Sequence, residues 1–486
     1  MATQASEFHA NAPIEQVPEK TVMANTYAEE ETDEKSISAR SGTIWTIVGC
    51  ALANFSDGYQ QNLASSTNVI FNHLLTTKKY TSAWQTRISN ALLVGSVIGI
   101  VILGYTSDRY SRKGGMFFTS ALVVIGSLLA MLVFQAQPLG IHNMLWFMTI
   151  ARGIAGVGVG GEYPTSAAAA LEGSNEYFDS QRGPIQVLIS TLMATSGGPV
   201  CTFVYLAALL GSNDNLKVAF HAMYGVSIFL PFLVILFRLK MRDGLLFKKS
   251  NFKKRHVPWM LVLRKYGLRL LGTSSAFFFY DFINFPNSIM SSAIINSIVP
   301  GKAVRTVAVW QLILALLPIP GVLLGAWLVN KIGRKWTGVL GFGGYIVLGF
   351  IIGGCYDPLT KNSIAAFVVL YGLLQALGHM GPGATIGLMS VESYPTAVRG
   401  MGYGISAGFG KAGAAIGTQV FTPIQAAAGK ASTFYVAGGV GVIGAIIYCF
   451  LPEGRAVDLA IMDADFERYM KEAGYTEEFV EEKENA

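Results

Sequence analysis

Apolar residues fall in twelve long runs, near 44–66, 87–107, 114–135, 145–170, 184–210, 217–237, 269–294, 307–330, 336–354, 363–391, 402–423 and 431–451. Crossing about 30 Å of hydrocarbon takes about 20 such residues at a rise of about 1.5 Å each. Each run therefore predicts a transmembrane helix. The polar positions cluster between the runs. The stretch from Arg238 to Arg269 holds eleven basic residues against one acid, Asp243. Short loops rich in Lys and Arg stay in the cytoplasm, so this middle loop is expected inside, and six crossings on either side of it put both termini inside as well. The chain divides into an acidic N-terminal tail (1–43), a six-helix bundle (44–238), a basic cytoplasmic linker (239–268), a second six-helix bundle (269–451) and an acidic C-terminal tail (452–486). Neither tail carries enough apolar residues for a packed core, and both read as mobile or regulatory segments.

The second bundle echoes the first. Gly104-Tyr-Thr-Ser-Asp108-Arg109-Tyr-Ser-Arg112-Lys113 has a degenerate copy in Ala326-Trp-Leu-Val-Asn330-Lys331-Ile-Gly333-Arg334-Lys335, offset by 222 residues (330 − 108). Glu162-Tyr163-Pro164-Thr165 recurs as Glu392-Ser-Tyr-Pro-Thr396. Such a duplication predicts an all-α membrane protein of two six-helix bundles facing each other across a central cavity, with a substrate site near the midplane. Asp108, Arg109, Arg112 and Lys113, with Asn330, Arg334 and Lys335, are expected to lock the closed cytoplasmic face rather than to touch substrate. Glu172 and Glu392, near cytoplasmic helix ends, fit the same lattice of charges.

Composition sharpens this picture. With 52% hydrophobic and 14% charged residues over 486 positions, the chain lacks the charge that a soluble protein of this length needs to cover its surface. Its net charge of +6 is concentrated in short loops, which excludes a nucleic-acid partner and leaves the lipid bilayer. The acidic N-terminal tail lacks the basic-then-apolar order of a cleaved signal peptide, so the first helix is expected to act as the internal signal. Cys50, Cys201, Cys355 and Cys449 have neither metal nor disulfide spacing and read as packing residues. Gly153, Gly156, Gly158, Gly160 and Gly161 allow close helix approach. They are no nucleotide fingerprint, since no strand precedes them. With no nucleophile–base pair or metal cluster in the pattern, an enzyme is not expected, nor is a cofactor.

Ionisable residues inside the spans are the functional candidates, because each costs several kcal/mol unless it faces a wet cavity or a partner. Asp57, Asp281 and Lys411 lie near the middle of the first, seventh and eleventh runs. For Asp281 and Lys411 a packing role alone would be an expensive way to fill space. Arg152 and Glu162 share the fourth run, and Arg152 fits either a structural partner for a backbone carbonyl or a second cation for substrate. His379, flanked by Gly378 and Gly381-Pro382-Gly383, fits either a satisfied interior histidine or a contact to substrate or proton. A midplane cation such as Lys411 can hold an anionic headgroup. Taking a carboxylate out of water disfavours its charged form, so Asp281, Glu162 and Asp57 are candidate proton sites. The pattern thus predicts a monomeric carrier coupling a small anion to protons. An inward-negative potential adds about 2.3 kcal/mol per positive charge per 100 mV, so a monoanion needs at least two protons to exploit it directly.

These residues also resemble a known family. The basic turn at 104–113, Arg152 through Ser166, and Phe279-Tyr280-Asp281-Phe282 with Phe285-Pro286-Asn287 look like the major facilitator superfamily. Within it they resemble the fungal glycerophosphodiester permeases of the glycerophosphoinositol type. Ser56-Asp57-Gly58-Tyr59, Gly381-Pro382-Gly383, Ala397-Val398-Arg399-Gly400 and Gly410-Lys411 match as well, and the resemblance runs from about 44 to 465. It implies the major facilitator fold, with Arg399 among the gating residues. The related phosphate:proton symporters place an acid-Tyr-Pro on Glu162-Tyr163-Pro164, which implies a proton-coupling role for Glu162 beside Tyr163. Their seventh-helix aspartate falls on Asp281, implying substrate or proton contact, and their eleventh-helix lysine falls on Lys411, implying anion binding. Phe285 stands where those symporters carry a tyrosine, and His379 and Gly383 where they carry asparagines. Met193 falls near their fifth-helix glutamine, and Ala384 where the glycerophosphoinositol type carries an acid. Fewer polar contacts and an added glycine imply a roomier site than orthophosphate needs.

The expectation is a plasma-membrane, proton-coupled importer of glycerophosphodiesters, with glycerophosphoinositol or glycerophosphocholine as leading substrates. A carrier or exporter of another organic anion or fungal metabolite would use the same charges. A non-transporting nutrient sensor is disfavoured by the short tails.

Overall fold

The computed structural model describes residues 19–75, 79–109, 112–177, 182–239, 258–299, 301, 303–454 and 459–474. Among these the chain is helical, with no strand. Six helices make the first bundle: α1 (Glu19–Leu74), α2 (Ser82–Arg109), α3 (Arg112–Met131), α4 (Ile141–Tyr177), α5 (Arg182–Gly211) and α6 (Leu216–Leu239). Six more make the second: α7 (Trp259–Ile298), α8 (Val304–Lys331), α9 (Arg334–Gly354), α10 (Ile364–Glu392), α11 (Arg399–Ala428) and α12 (Ser432–Phe450). A short helix, Tyr356–Asn362, joins α9 to α10, and α13 (Leu459–Glu472) follows the last crossing. The predicted all-α fold of twelve crossings in two bundles is thus the fold observed.

Among the described residues, nine of the crossings are long and apolar enough to span a bilayer by length and composition alone. The other three, α1, α7 and α11, carry Asp57, Asp281 and Lys411. Polar residues dilute these helices because one face of each turns away from lipid. The first bundle closes on an aromatic core in which Phe71 stacks on Phe220 and Phe134 meets Phe220 edge-on at 4.9 Å. The second closes on Tyr345, Tyr371, Phe434 and Tyr448. Gly156 and Gly160 of α4 do what their spacing predicts: a Cβ at either would lie within 2.3 Å of a carbonyl of α2, Leu92 O or Ser96 O. Between the bundles, α1 meets α7, α2 meets α11, and α5 meets α8.

The C-terminal tail departs from the expectation of an unpacked segment. Met462, Phe466 and Met470, four residues apart, are buried along one face of α13. Phe466 and Met470 pack on Val262 and Tyr266 of α7 and on Tyr394 and Val398 between α10 and α11, while Met462 joins the core of the second bundle. Asp463 accepts from Thr396 N and Thr396 Oγ1, both at 2.7 Å, and Asp465 pairs with Lys265 Nζ at 2.7 Å. Upstream, Glu453 accepts from the backbone N–H groups of Arg334 and Lys335 at 2.9 and 3.0 Å, capping α9. The short apolar stripe is invisible to average composition because charges alternate with it. The same docking explains why α7 starts at Trp259, ten residues before the predicted span.

The Lys265 hydrogen bond holds the Asp465 carboxyl below the usual carboxylate range. A carboxyl depressed in the folded state contributes stability above its unfolded pKa and loses it as pH falls, so acid weakens this dock. Phe466→Asp places a carboxylate in the apolar seam and should release α13. Trypsin cleavage at exposed Arg468 is then expected to speed up at least about tenfold, as local opening becomes cheap. Unchanged cleavage would show that the seam does not hold the helix.

Candidate functional site

Gly413 and Gly417 of α11 face carbonyls of Phe278 and Phe282 on α7, where an added Cβ would stand 2.4 Å from either oxygen. This close approach brings Lys411 beside Asp281. Between the bundles lies a cavity of about 210 Å³. Its wall includes Lys411, Asp281, Tyr163, Phe285 and His379 from the predicted set, brought together from α4, α7, α10 and α11.

Lys411 is 4% exposed, and its Nζ lies 3.5 Å from Asp281 Oδ2. It also lies 3.9 Å from the Phe285 ring centre and 4.7 Å from that of Tyr163. A cation held by one carboxylate and two aromatic faces is stabilised without being fully coordinated. Phe285 thus contributes a ring face where a tyrosine would have offered a donor. Tyr163 OH accepts from Gln61 Nε2 of α1 at 2.9 Å. The lysine of one bundle is therefore boxed in by a tyrosine of the other. Lys411 is the only Lys or Arg among the described residues that line the cavity.

Other candidates lie elsewhere. Arg152 does not reach this wall: its guanidinium donates to Ile88 O at 3.2 Å, Tyr224 OH at 3.4 Å and Gln60 O at 3.5 Å. Of the two roles left open for it, the structural one is what the geometry supports, because all three of its nitrogens are engaged inside the first bundle. Glu162 pairs with Arg238, and Arg238 also donates to Met116 O and Ser120 Oγ. This pair is buried inside the first bundle and lines no part of the cavity. Arg238 was read from sequence only as the first of the loop's basic residues. Its nearness to an apolar run, one span from the buried Glu162, was the signal available. Asp57 is 2% exposed, and its Oδ2 has no hydrogen-bond partner among the described residues. It is flanked by the cavity-lining Asn54, Gly58 and Gln61 and lies within electrostatic reach of both Arg238 and Lys411. His379 donates or accepts at Gln375 O, 2.9 Å from its Nδ1, while lining the cavity.

Two cavity helices widen into single π turns, Leu188–Leu192 in α5 and His379–Gly383 in α10. Such turns re-aim side chains and recur at functional sites. Here they touch across the bundles: Thr191 Oγ1 donates to Gly383 O at 3.0 Å. A Cβ on Gly383 would stand 2.6 Å from Tyr280 OH, so this glycine lets Tyr280 into the wall.

On the face where α13 lies, Glu392 joins the bundles. Its Oε1 is 3.2 Å from Arg182 Nε of α5 and 3.1 Å from Arg334 Nη2 of α9, and its Oε2 accepts from Arg334 Nε at 3.2 Å. Arg334 Nη1 also donates to Asn330 Oδ1 at 3.3 Å. Arg182 was not anticipated from the repeats. Arg399 is fully buried and donates to Tyr394 O at 3.2 Å. Lys335 meets Glu453 through its backbone. The side chains of Asp108, Arg109, Arg112, Lys113 and Glu172 lie outside the described residues. On the opposite face neutral contacts join the bundles: Asn90 Nδ2 donates to Ala415 O at 3.1 Å and Thr86 meets Thr422 at 3.1 Å. One exposed pair, Arg305–Asp214 at 2.6 Å, adds to them.

Two six-helix bundles around a buried, charge-bearing cavity, bridged on both faces, define a membrane carrier rather than an enzyme. The sugar (and other) transporter family model matches residues 42–255 and 246–466, one stretch per bundle, and the chain belongs to that family of the major facilitator superfamily. It is 54% identical over 482 residues to the MFS-type transporter lnaF of Aspergillus flavus, covering 96% of this chain and 97% of that one. It is 38% identical over 476 residues to glycerophosphoinositol transporter 1 of Saccharomyces cerevisiae, covering 95% and 91%. In fold it resembles the proton:xylose symporter XylE bound to 6-bromo-6-deoxy-D-glucose, with a TM-score of 0.72, 17% identity, and 88% and 99% of the two chains covered. The expected resemblance to glycerophosphodiester permeases is therefore present along the whole membrane domain.

Proposed function

We propose that this carrier imports glycerophosphodiesters across the plasma membrane, coupled to protons, by alternating access, with the α13 face in the cytoplasm. The observation that carries the reading is Lys411, a buried cation at 3.5 Å from Asp281, the two being the only Asp, Glu, Lys or Arg among the described residues that line the cavity. A diester monoanion arriving at Lys411 would leave two negative groups facing one positive charge in a low-dielectric site. Protonation of Asp281 removes the excess, so anion and proton enter together. Asp57 is a second proton site, and the Glu162–Arg238 pair beside it is a third group able to exchange charge as the bundles rock. Relatives named as glycerophosphoinositol and glycerophosphocholine permeases support the substrate class.

The test is uptake of labelled glycerophosphoinositol, glycerophosphocholine and orthophosphate into cells lacking their own carriers, at acid and neutral external pH, with and without an uncoupler. Diester uptake that rises in acid and collapses with the uncoupler is expected. Asp57→Asn should flatten that rise, since a neutral amide cannot carry the proton. Uptake indifferent to pH and uncoupler would remove proton coupling, and efflux without uptake would favour the exporter.

A further inference from the structure

Away from Lys411 the cavity changes character. On α7, Asp281, Asn284, Ser288 and Ser291 follow one another three or four residues apart and all line it, so they form one stripe along the helix. At about 1.5 Å per residue, the stripe runs about 15 Å from the charged pair toward the face where α7 ends. Gln311 stands seven residues into α8, which begins at that face, and Gln375 eleven residues into α10, which begins there too. By the same rise they stand about level with Ser291 and Ser288, well beyond the ion pair.

Gln311 and Gln375 are 5% and 8% exposed and line the cavity; among the described residues Gln311 Nε2 has no hydrogen-bond partner, and Gln375 reaches only Tyr371, one turn back on its own helix. An unpaired amide donor at Gln311, with the second N–H of Gln375 in the same cavity wall, calls for a ligand acceptor, because a buried polar group left unmade is costly. No Asp, Glu, Lys or Arg lies at this end among the described lining residues. Of the aromatic residues in the wall, Tyr163 and Phe285 lie over Lys411, while Phe277 and Tyr280 precede Asp281 on α7 and Tyr403 precedes Lys411 on α11, on the side away from the distal end. A quaternary ammonium wants aromatic faces or an acid, and the distal end offers neither. It offers amides and hydroxyls, which suit a neutral polyhydroxyl group.

We infer that a diester binds with its phosphate at Lys411 and its polyol alcohol at Gln311 and Gln375, so that these two glutamines select inositol-type over choline-type headgroups. The inference rests on the diester reading of the cavity. Its test is equilibrium binding of labelled glycerophosphoinositol to the purified full-length chain, competed by glycerophosphocholine, myo-inositol and glycerol 3-phosphate, for the wild type and for Gln311→Leu and Gln375→Leu. Leucine is tolerated in a membrane helix, and retained glycerophosphocholine binding reports a folded variant. The wild type should prefer glycerophosphoinositol over glycerophosphocholine at least about tenfold. Each substitution should weaken glycerophosphoinositol about three- to tenfold, the loss of one hydrogen bond, and leave glycerophosphocholine unchanged. Equal wild-type affinity for both diesters would overturn the headgroup assignment and leave the diester reading standing. A preference that survives both substitutions would overturn the role of the glutamines. Binding of neither diester to the wild type would overturn both readings together.

Discussion

Lys411→Ala is expected to abolish uptake while the protein still reaches the cell surface. Lys411 is the only Lys or Arg among the described residues lining the cavity, and it is 4% exposed. Removing one partner of a buried pair costs about 3–5 kcal/mol because the other charge is left uncompensated. Without that lysine, no Lys or Arg among the described lining residues is left to hold an anion. The residual carboxylate of Asp281 then repels the substrate that Lys411 had attracted. Part of any effect could come from strain on the fold, and a double variant separates the two. Lys411→Ala with Asp281→Asn removes both charges and should restore thermal stability without restoring uptake. Normal uptake by Lys411→Ala, or uptake regained in the double variant, would show that the lysine serves only to pair Asp281.

What could be read from residues alone follows from how each signal is generated. Spans announce themselves through length, so the twelve crossings were legible; a charge at mid-span has few explanations, which marked Asp281 and Lys411 as candidates, but nothing in the sequence said that the two would meet. Roles that depend on which way a helix faces were not legible. Arg152 and Glu162 sit at plausible depths, yet α4 turns both into its own bundle, where Tyr224 and Arg238 receive them. Rotation about a helix axis is set by packing, here by Gly156 and Gly160 pressed on α2, and depth carries no trace of it. The neutral half of the cavity was missed for a different reason. Gln311 and Gln375 cost little in an apolar run, so nothing marks them, although the three-and-four spacing of Asp281, Asn284, Ser288 and Ser291 was there to be seen. The α13 dock escaped because its apolar stripe holds only three residues among charges.

Glu392→Ala should open the α13 face. Glu392 meets both Arg182 and Arg334, and the side chains of Glu392, Arg182 and Arg334 are 1%, 8% and 2% exposed. Those arginines belong to different bundles, so the glutamate is a clasp between halves. Its removal takes away the carboxylate shared by two buried guanidinium groups, and breaking a buried network of this kind costs about 3–5 kcal/mol. That cost falls only on the conformation in which the three groups are together, because separation lets water reach both arginines. Reversing a 99:1 equilibrium takes about 5.5 kcal/mol, so loss of the clasp supplies most of a full switch. The opposite face is held by neutral hydrogen bonds at Asn90 and Thr86, each worth about 0.5–1.5 kcal/mol, and the exposed Arg305–Asp214 pair adds about 1 kcal/mol at most. The two faces are therefore unequally held, and the variant should favour opening on the α13 side. A cysteine at Gln186, which lines the cavity close to the clasp, reports this. Its labelling by a thiol reagent applied from the α13 side should speed up at least about tenfold in the Glu392→Ala background, measured against a chain whose native cysteines are replaced. Labelling that stays slow while the melting temperature falls would mean that the triad holds the fold together and does not gate the cavity.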